Sequence, residues 1–176
     1  FLNALAEKTG ETVHLAIAEG SVMNYVLQVD PNNPIRLEST VGSRLPLHRA
    51  ATGRAVLSTL SRPARDAMIS TLTELDPNDP ALRDLDRAID TAQMQGWATV
   101  DRGDDITRLA AAIRDSSGTA IAGVSVSGPS FRVDESASDI ALACALTAHE
   151  ISAALGYVPV DADAATTARG SELATS

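Results

Sequence analysis

The chain has 176 residues, of which 44 % are hydrophobic and 21 % charged, with a formal net charge of −9; this is the composition of one soluble globular domain with a substantial core. The excess of acid, with arginines scattered singly, makes the chain by itself a poor binder of a phosphate backbone. A single cysteine, Cys144, excludes an intrachain disulfide and a cysteine-based zinc site and fits a cytosolic location, and no run of about 18 apolar residues is present to span a membrane.

Residues 1–9 read as a helix already under way at Phe1 and capped by Gly10, with residues missing upstream. Thr12–Ala18 alternates, with Val13, Leu15 and Ile17 on one face, and Val22–Val29 follows the Glu19-Gly20 turn, so the pair reads as a hairpin. Pro31 and Pro34 bracket a loop, and Ile35–Thr40 alternates as a third strand. Residues 42–48 form a loop entering a helix in which Ala50, Gly53, Leu57 and Leu60 recur at helical spacing. Ser61-Arg62-Pro63 opens a short helix. Asp79-Pro80 opens another, with Leu82, Leu85, Ile89 and Ala92 in one stripe and Gly96 at its end.

Trp97–Asp101 is a short strand. Ile106–Ile113 and Thr119–Ser127 form a second hairpin, turned at residues 115–118 and stopped by Gly128-Pro129. Asp134–Gly156 reads as a long helix with a Ser136/Asp139 capping box and a face of Ile140, Cys144, Ile151 and Leu155. Residues 158–176 are too polar to build a core. Strands joined by hairpins predict an antiparallel sheet with helices packed on it, an α+β domain of the GAF or profilin-like sensor type.

Catalytic chemistry finds no positive support. There is no G-x-S-x-G elbow, no P-loop lysine, and no second histidine four residues after His149. His14, His48 and His149 lie far apart, and Cys144 on its apolar stripe reads as a buried structural thiol. One constellation stands out. Gly123, Ser125 and Ser127 share one face of a strand whose other face carries Ala122, Val124 and Val126. Such a face either hydrogen-bonds a compact polar ligand or meets solvent, and the spacing leaves both open.

Five segments together resemble the IclR effector-binding domain over residues 1–157. They are Leu5–Ala16 (LAEKTGETVHLA), Val41–His48 (VGSRLPLH) with Ala51–Leu57 (ATGRAVL), Gly96-Trp97-Ala98, Leu109–Ile113, and Val124–Pro129 (VSVSGP). The resemblance implies a domain that senses a small organic or aromatic acid and controls an N-terminal winged helix-turn-helix absent from this chain. Residues 1–9 would then be the end of the linker helix and 158–176 a tail. It also implies a homodimer or tetramer, and DNA bound only through the absent domain.

By motif match the pocket is lined by Leu45, Ala51, Thr52, Asp101, Ser125 and Ser127. Ile35 and Leu37 form an apolar wall, and Ile106 and Arg108 come from the neighbouring strand. The chain departs from the family between Gly96 and Leu109, where the segment is shortened: Asp104 or Asp105 could take the place of Asp101, and Arg108 stands where a small residue is common. Ser125 and Ser127 lie two residues of rise apart, ~7 Å, and can both donate to a carboxylate. Arg108 adds a bidentate fork if it points to the same face, which alternation alone leaves undetermined; Asp101 would bind a ligand hydroxyl or pair with Arg108 in the empty pocket. Two other readings are a GAF-like sensor attached to a different signalling output and a small hydrolase or isomerase, the latter lacking a convincing base. No cofactor or metal is called for.

Overall fold

The computed structural model describes residues 1–31 and 41–159. The expected strand at Ile35–Thr40 and most of the polar tail lie outside them, as do Ile35 and Leu37. Among the described residues six antiparallel strands form one sheet in the order β3-β2-β1-β6-β5-β4: β1 Thr12–Glu19, β2 Val22–Val29, β3 Arg44–Pro46, β4 Ala98–Thr99, β5 Ile106–Arg114 and β6 Ala120–Pro129. The helices are α1 Leu2–Thr9, α2 Ala51–Leu57, α3 Arg62–Leu75, α4 Leu85–Gln95, α5 Ser130–Val133 and α6 Ala137–Ala154. The α+β architecture with hairpin-joined strands is thus the one that the alternation predicts.

The alternation of β1, β5 and β6 gives the sheet two different faces. Val13, Leu109, Ala111, Ile113, Val124 and Val126 point to one side, where Ile140, Ala141 and Cys144 of α6 and Leu5 of α1 close the core. Burial there pushes the Cys144 thiol up to about 12. The opposite face is covered by α2, with Ala16, Met23 and Tyr25 against Leu47, Val56 and Leu57, and the stripe Leu85, Ile89 of α4 and Leu72 of α3 completes that layer.

Two glycines let α2 approach. A Cβ on Gly53 would fall 2.2 Å from the Leu47 carbonyl oxygen, and one on Gly123 would fall 2.9 Å from the Cβ of Thr52. Gly10 and Gly96 end α1 and α4 in the left-handed conformation, at φ 69° and 82°.

Several elements differ from expectation. Residues 44–46, read as loop, pair with Val22–Asn24 as a short edge strand. The helix opened by Arg62-Pro63 is not short but runs 14 residues. The stripe expected as one helix from Pro80 is broken: Pro80–Leu82 is a single 3-10 turn capped by the Asp79 carboxylate on the Ala81 N–H, and α4 starts afresh at Leu85. The last helix is likewise split. It enters α6 from a 3-10 turn in which the Ala137 N–H already donates to the Asp134 carbonyl, so Ser136 makes no side-chain cap. Periodicity reports a stripe, not the turn that interrupts it.

Candidate functional site

Strand register places a polar patch on the α2 face of the sheet. Ser125 of β6 lies opposite His14 of β1 and Ala110 of β5, and Ser127 lies opposite Thr12 and Arg108. Directly opposed residues of antiparallel strands bring their side chains within reach on the same face. Ser125 and Ser127 are 3 % and 4 % exposed, so this face does not meet solvent. A bulge at Leu15/Ala16 sets Tyr25 opposite Ala16 while Gln28 stays opposite His14. Without it those two β2 residues, three apart, would point to opposite sides. The Tyr25 hydroxyl lies 3.5 Å from Oγ1 of Thr52, which α2 holds fully buried above Gly123.

Arg108 points into this layer. It is 13 % exposed and grips Asp104 with two N–H groups at 2.9 and 2.6 Å, donating also to the Ile106 carbonyl. The Arg108 guanidinium is the leading reason that the Asp104 carboxyl sits below its usual pKa. Asp104, not Asp101, is therefore the carboxylate paired with Arg108. Asp101 stands exposed, its Oδ1 accepting from the Gly103 N–H. The 101–105 loop takes this course through left-handed backbone at Gly103 and Asp105, φ 68° and 54°.

The predicted set is thus divided. Thr52, Arg108, Ser125 and Ser127 come together on the α2 face, with Ile106 half-buried two residues before Arg108 on the same strand. Ala51 packs into an apolar cluster with Ala55, Ala92, Ala98, Val100 and Ala110. Leu45 and Asp101 line a separate cleft.

His14, Tyr25 and Gln28 share the polar face and were not among the residues singled out from the sequence. The missing signal was the pairing of β1 with β6, which no local pattern encodes. His14 is 3 % exposed; among the described residues neither ring nitrogen has a partner in good hydrogen-bond geometry, although the Gln28 side chain lies close enough to favour its charged form. Burial lowers its pKa below 6.5, against the opposing pull of Gln28 and Asp30. It packs edge-on to Tyr25 at 5.8 Å between ring centroids.

A second buried polar group braces the base of α2. His48 Nε2 lies 2.6 Å from Oδ2 of Asp79, and Arg49 Nε donates to the same oxygen. A carboxylate only accepts, so Nε2 carries the proton. Burial opposes ionisation of Asp79, but the hydrogen bonds from Arg49, His48 and the Ala81 N–H outweigh it and hold the carboxyl far below its usual 3.8.

Both shifts make acid destabilising. At His14 the unfolded chain takes up a proton near 6.5 while the folded chain does not until lower pH, so its contribution is complete above about 6.5 and falls below it. The Asp79 contribution is complete above about 3.8 and is lost as pH falls further. Urea unfolding at stepped pH should show a first decline below neutrality that His14→Gln removes and a second, acid decline that Asp79→Asn reduces. A flat profile from pH 7 to 5 in the parent chain, working within the ordinary histidine range, would contradict the first assignment.

Among the described residues no group of three or more His, Cys, Asp or Glu could hold a metal ion, and no helix is long and apolar enough to cross a membrane. The model of the family "Bacterial transcriptional regulator IclR C-terminal" matches residues 1–153. The HTH-type transcriptional repressor AllR of Escherichia coli K12 is 32 % identical over 171 residues, covering 85 % of this chain and 61 % of its own length. The chain therefore spans about three-fifths of that relative. Among solved structures, the Thermotoga maritima IclR superposes with a TM-score of 0.78 at 28 % identity, over 89 % of this chain and 66 % of that one. The Agrobacterium tumefaciens repressor BlcR gives 0.70 at 28 % identity, over 86 % and 62 %. With the family model covering most of its length and the same antiparallel α+β fold in these neighbours, the chain belongs to the IclR C-terminal family.

Proposed function

We propose that residues 1–157 are the sensing domain of a transcription regulator, that they bind a small organic or aromatic acid on the α2 face of the sheet, and that occupancy controls DNA binding by a winged helix-turn-helix elsewhere in the full protein. The observation that carries the reading is the gathering of buried Ser125 and Ser127 and largely buried Arg108 beside a buried imidazole whose nitrogens have no well-formed hydrogen bond among the described residues. Buried polar groups without partners are costly, and a ligand supplying acceptors would satisfy them. The names of AllR and BlcR as repressors support the regulatory output.

In this reading Asp104 stands in for the effector. Its carboxylate already occupies the Arg108 fork, so an incoming carboxylate, held also by Ser125 and Ser127, would displace it and free the 101–105 loop. The apolar wall would come from Ile106. A ligand changes an assembly only by binding one arrangement better than another, and release of this loop is where such a difference would arise. No catalytic step is assigned. The function is cytoplasmic binding, with DNA contacted through the other domain.

A thermal-shift screen of carboxylic acids tests the site. A true effector at a hundredfold excess over its dissociation constant should add ~2.7 kcal/mol of stability. The same compound should lose that effect on the Ser125→Ala/Ser127→Ala double variant. Equal stabilisation of parent and double variant would place the ligand elsewhere.

Self-association as a dimer or tetramer belongs to the same proposal. Leu142 and Leu146, one turn apart on α6, are 58 % and 50 % exposed, and Ile17 and Leu27 are exposed on the sheet. Light scattering at tens of micromolar should give a dimer or larger; a monomer would contradict it.

A further inference from the structure

A cleft of about 590 Å³ lies between α2, the start of α4, the Pro80–Leu82 turn and the 100–102 segment. None of Thr52, Arg108, Ser125 or Ser127 lines it, so it is distinct from the polar layer on the sheet. Three guanidinium groups reach it, from Arg49, Arg54 and Arg102, over an apolar floor of Leu45, Pro80, Ala88 and Val100.

The charge balance of this cleft is uneven. Arg49 is paired with Asp79 and lies 3.6 Å from Asp76. Arg54 has no carboxylate in ion-pair range among the described residues. Its guanidinium is held only by backbone carbonyls, those of His48 at 2.8 Å, Thr99 at 3.4 Å and Ala81 at 3.5 Å. Arg102 donates to the Arg49 carbonyl at 3.3 and 3.0 Å and lies beside the Tyr25 side chain, with no carboxylate in ion-pair range among the described residues.

The acids that line the cleft are engaged elsewhere. Asp79 accepts from His48, Arg49 and the Ala81 N–H, Asp101 accepts from the Gly103 N–H, and Asp84 is exposed beside Arg87. Burial lowers the pKa of Arg54, and the charge of Arg102 lowers it further. The pKa of Arg102 is itself lowered by burial and by the charge of Arg108, and guanidinium groups crowded in this way, in a chain of net charge −9, are an arrangement that a bound anion would relieve.

We propose that this cleft is a second ligand site, taking a small molecule that carries a carboxylate or phosphate on an apolar body. The oxyanion would bridge Arg54 and Arg102, and the body would cover Leu45, Ala88 and Val100. The volume falls within the ~300–1,000 Å³ of small-molecule pockets. The proposal does not depend on the sheet-face site holding an effector.

The experiment titrates the full 176-residue chain with benzoate, phenyl phosphate and inorganic phosphate at fixed ionic strength, following the arginine Nε–H resonances by NMR. Saturable shifts of Arg54 and Arg102 are expected with benzoate or phenyl phosphate, tighter than with inorganic phosphate, and the comparison of the two identifies the preferred oxyanion. Arg102→Gln should weaken this binding ~10-fold or more, while Ser125→Ala/Ser127→Ala leaves it unchanged. Arg54→Gln removes three carbonyl contacts and so risks the fold, whereas Arg102, exposed and held to one carbonyl beside Tyr25, provides the milder variant. Shifts that never saturate, that chloride reproduces, or that vanish in the serine double variant but persist in Arg102→Gln would overturn the second site.

Discussion

Gly53→Ala is expected to destabilise the domain by about 3 kcal/mol or more, a large share of the ~5–15 kcal/mol that holds a domain together. Its backbone is helical, so the cost is steric. The added Cβ would lie 2.2 Å from the Leu47 carbonyl oxygen and 2.5 Å from the Leu47 Cα, both backbone atoms that cannot rotate away. Relief requires α2 to lift off the Leu47–Arg49 turn, and with it Thr52 off Gly123. Gly96→Ala is the informative control. There nothing lies within 4 Å, and only the left-handed φ of 82° opposes the side chain, a cost of ~1–2 kcal/mol. Urea midpoints should rank the two accordingly. Equal effects would mean that α2 is not packed as tightly as described.

Arg132→Ala should cost about 2–4 kcal/mol, through the charge it leaves behind and not through lost attraction alone. Glu11, in the turn between α1 and β1, is buried to 4 % side-chain exposure and is gripped by Arg132 of α5, with Nη2 2.7 Å from Oε2 and Nε on Oε1. The pair ties the first strand to the segment that leaves β6. Gly128 makes room for it, since a Cβ there would fall 2.2 Å from Oε2 of Glu11. Without Arg132 the carboxylate stays buried and unpaired, so Glu11→Gln in the same chain should recover part of the loss. A double-mutant cycle reads this coupling directly. Additive single effects would show that the pair is solvated and weak.

The parts legible in the sequence were those written in local chemistry. The β1–β2 hairpin, the Asp115–Gly118 turn with its carboxylate on the Ser117 and Thr119 N–H groups, and the glycine stops of α1 and α4 all follow from residues within a few positions. The pairing of Ser125 with Ser127 on one face also followed, from strand alternation alone. What stayed hidden was non-local. The direction of Arg108 depends on the register of β5 against β6, and its partner Asp104 depends on a loop whose path turns through two left-handed residues. His14 joins the site because β1 lies beside β6, more than a hundred residues away in the chain. The motif match groups Leu45 and Asp101 with Ser125, yet they line a different cleft, which the 100–102 segment itself borders. Adjacency in a motif does not carry adjacency in space when an intervening segment is shortened.

The central claim is that the sheet face bearing Ser125, Ser127 and Arg108 holds an effector carboxylate. Isothermal titration of an acid identified by the thermal screen, against the parent chain, Ser125→Ala, Ser127→Ala and Arg108→Gln, tests it most directly. In the proposed site each serine would hydrogen-bond the charged end of the ligand, so each single loss should weaken binding roughly tenfold, ~1.4 kcal/mol. Arg108→Gln should weaken it at least as much. Affinity unchanged in both serine variants, with their unfolding midpoints intact, would contradict the assignment of this face as the effector site.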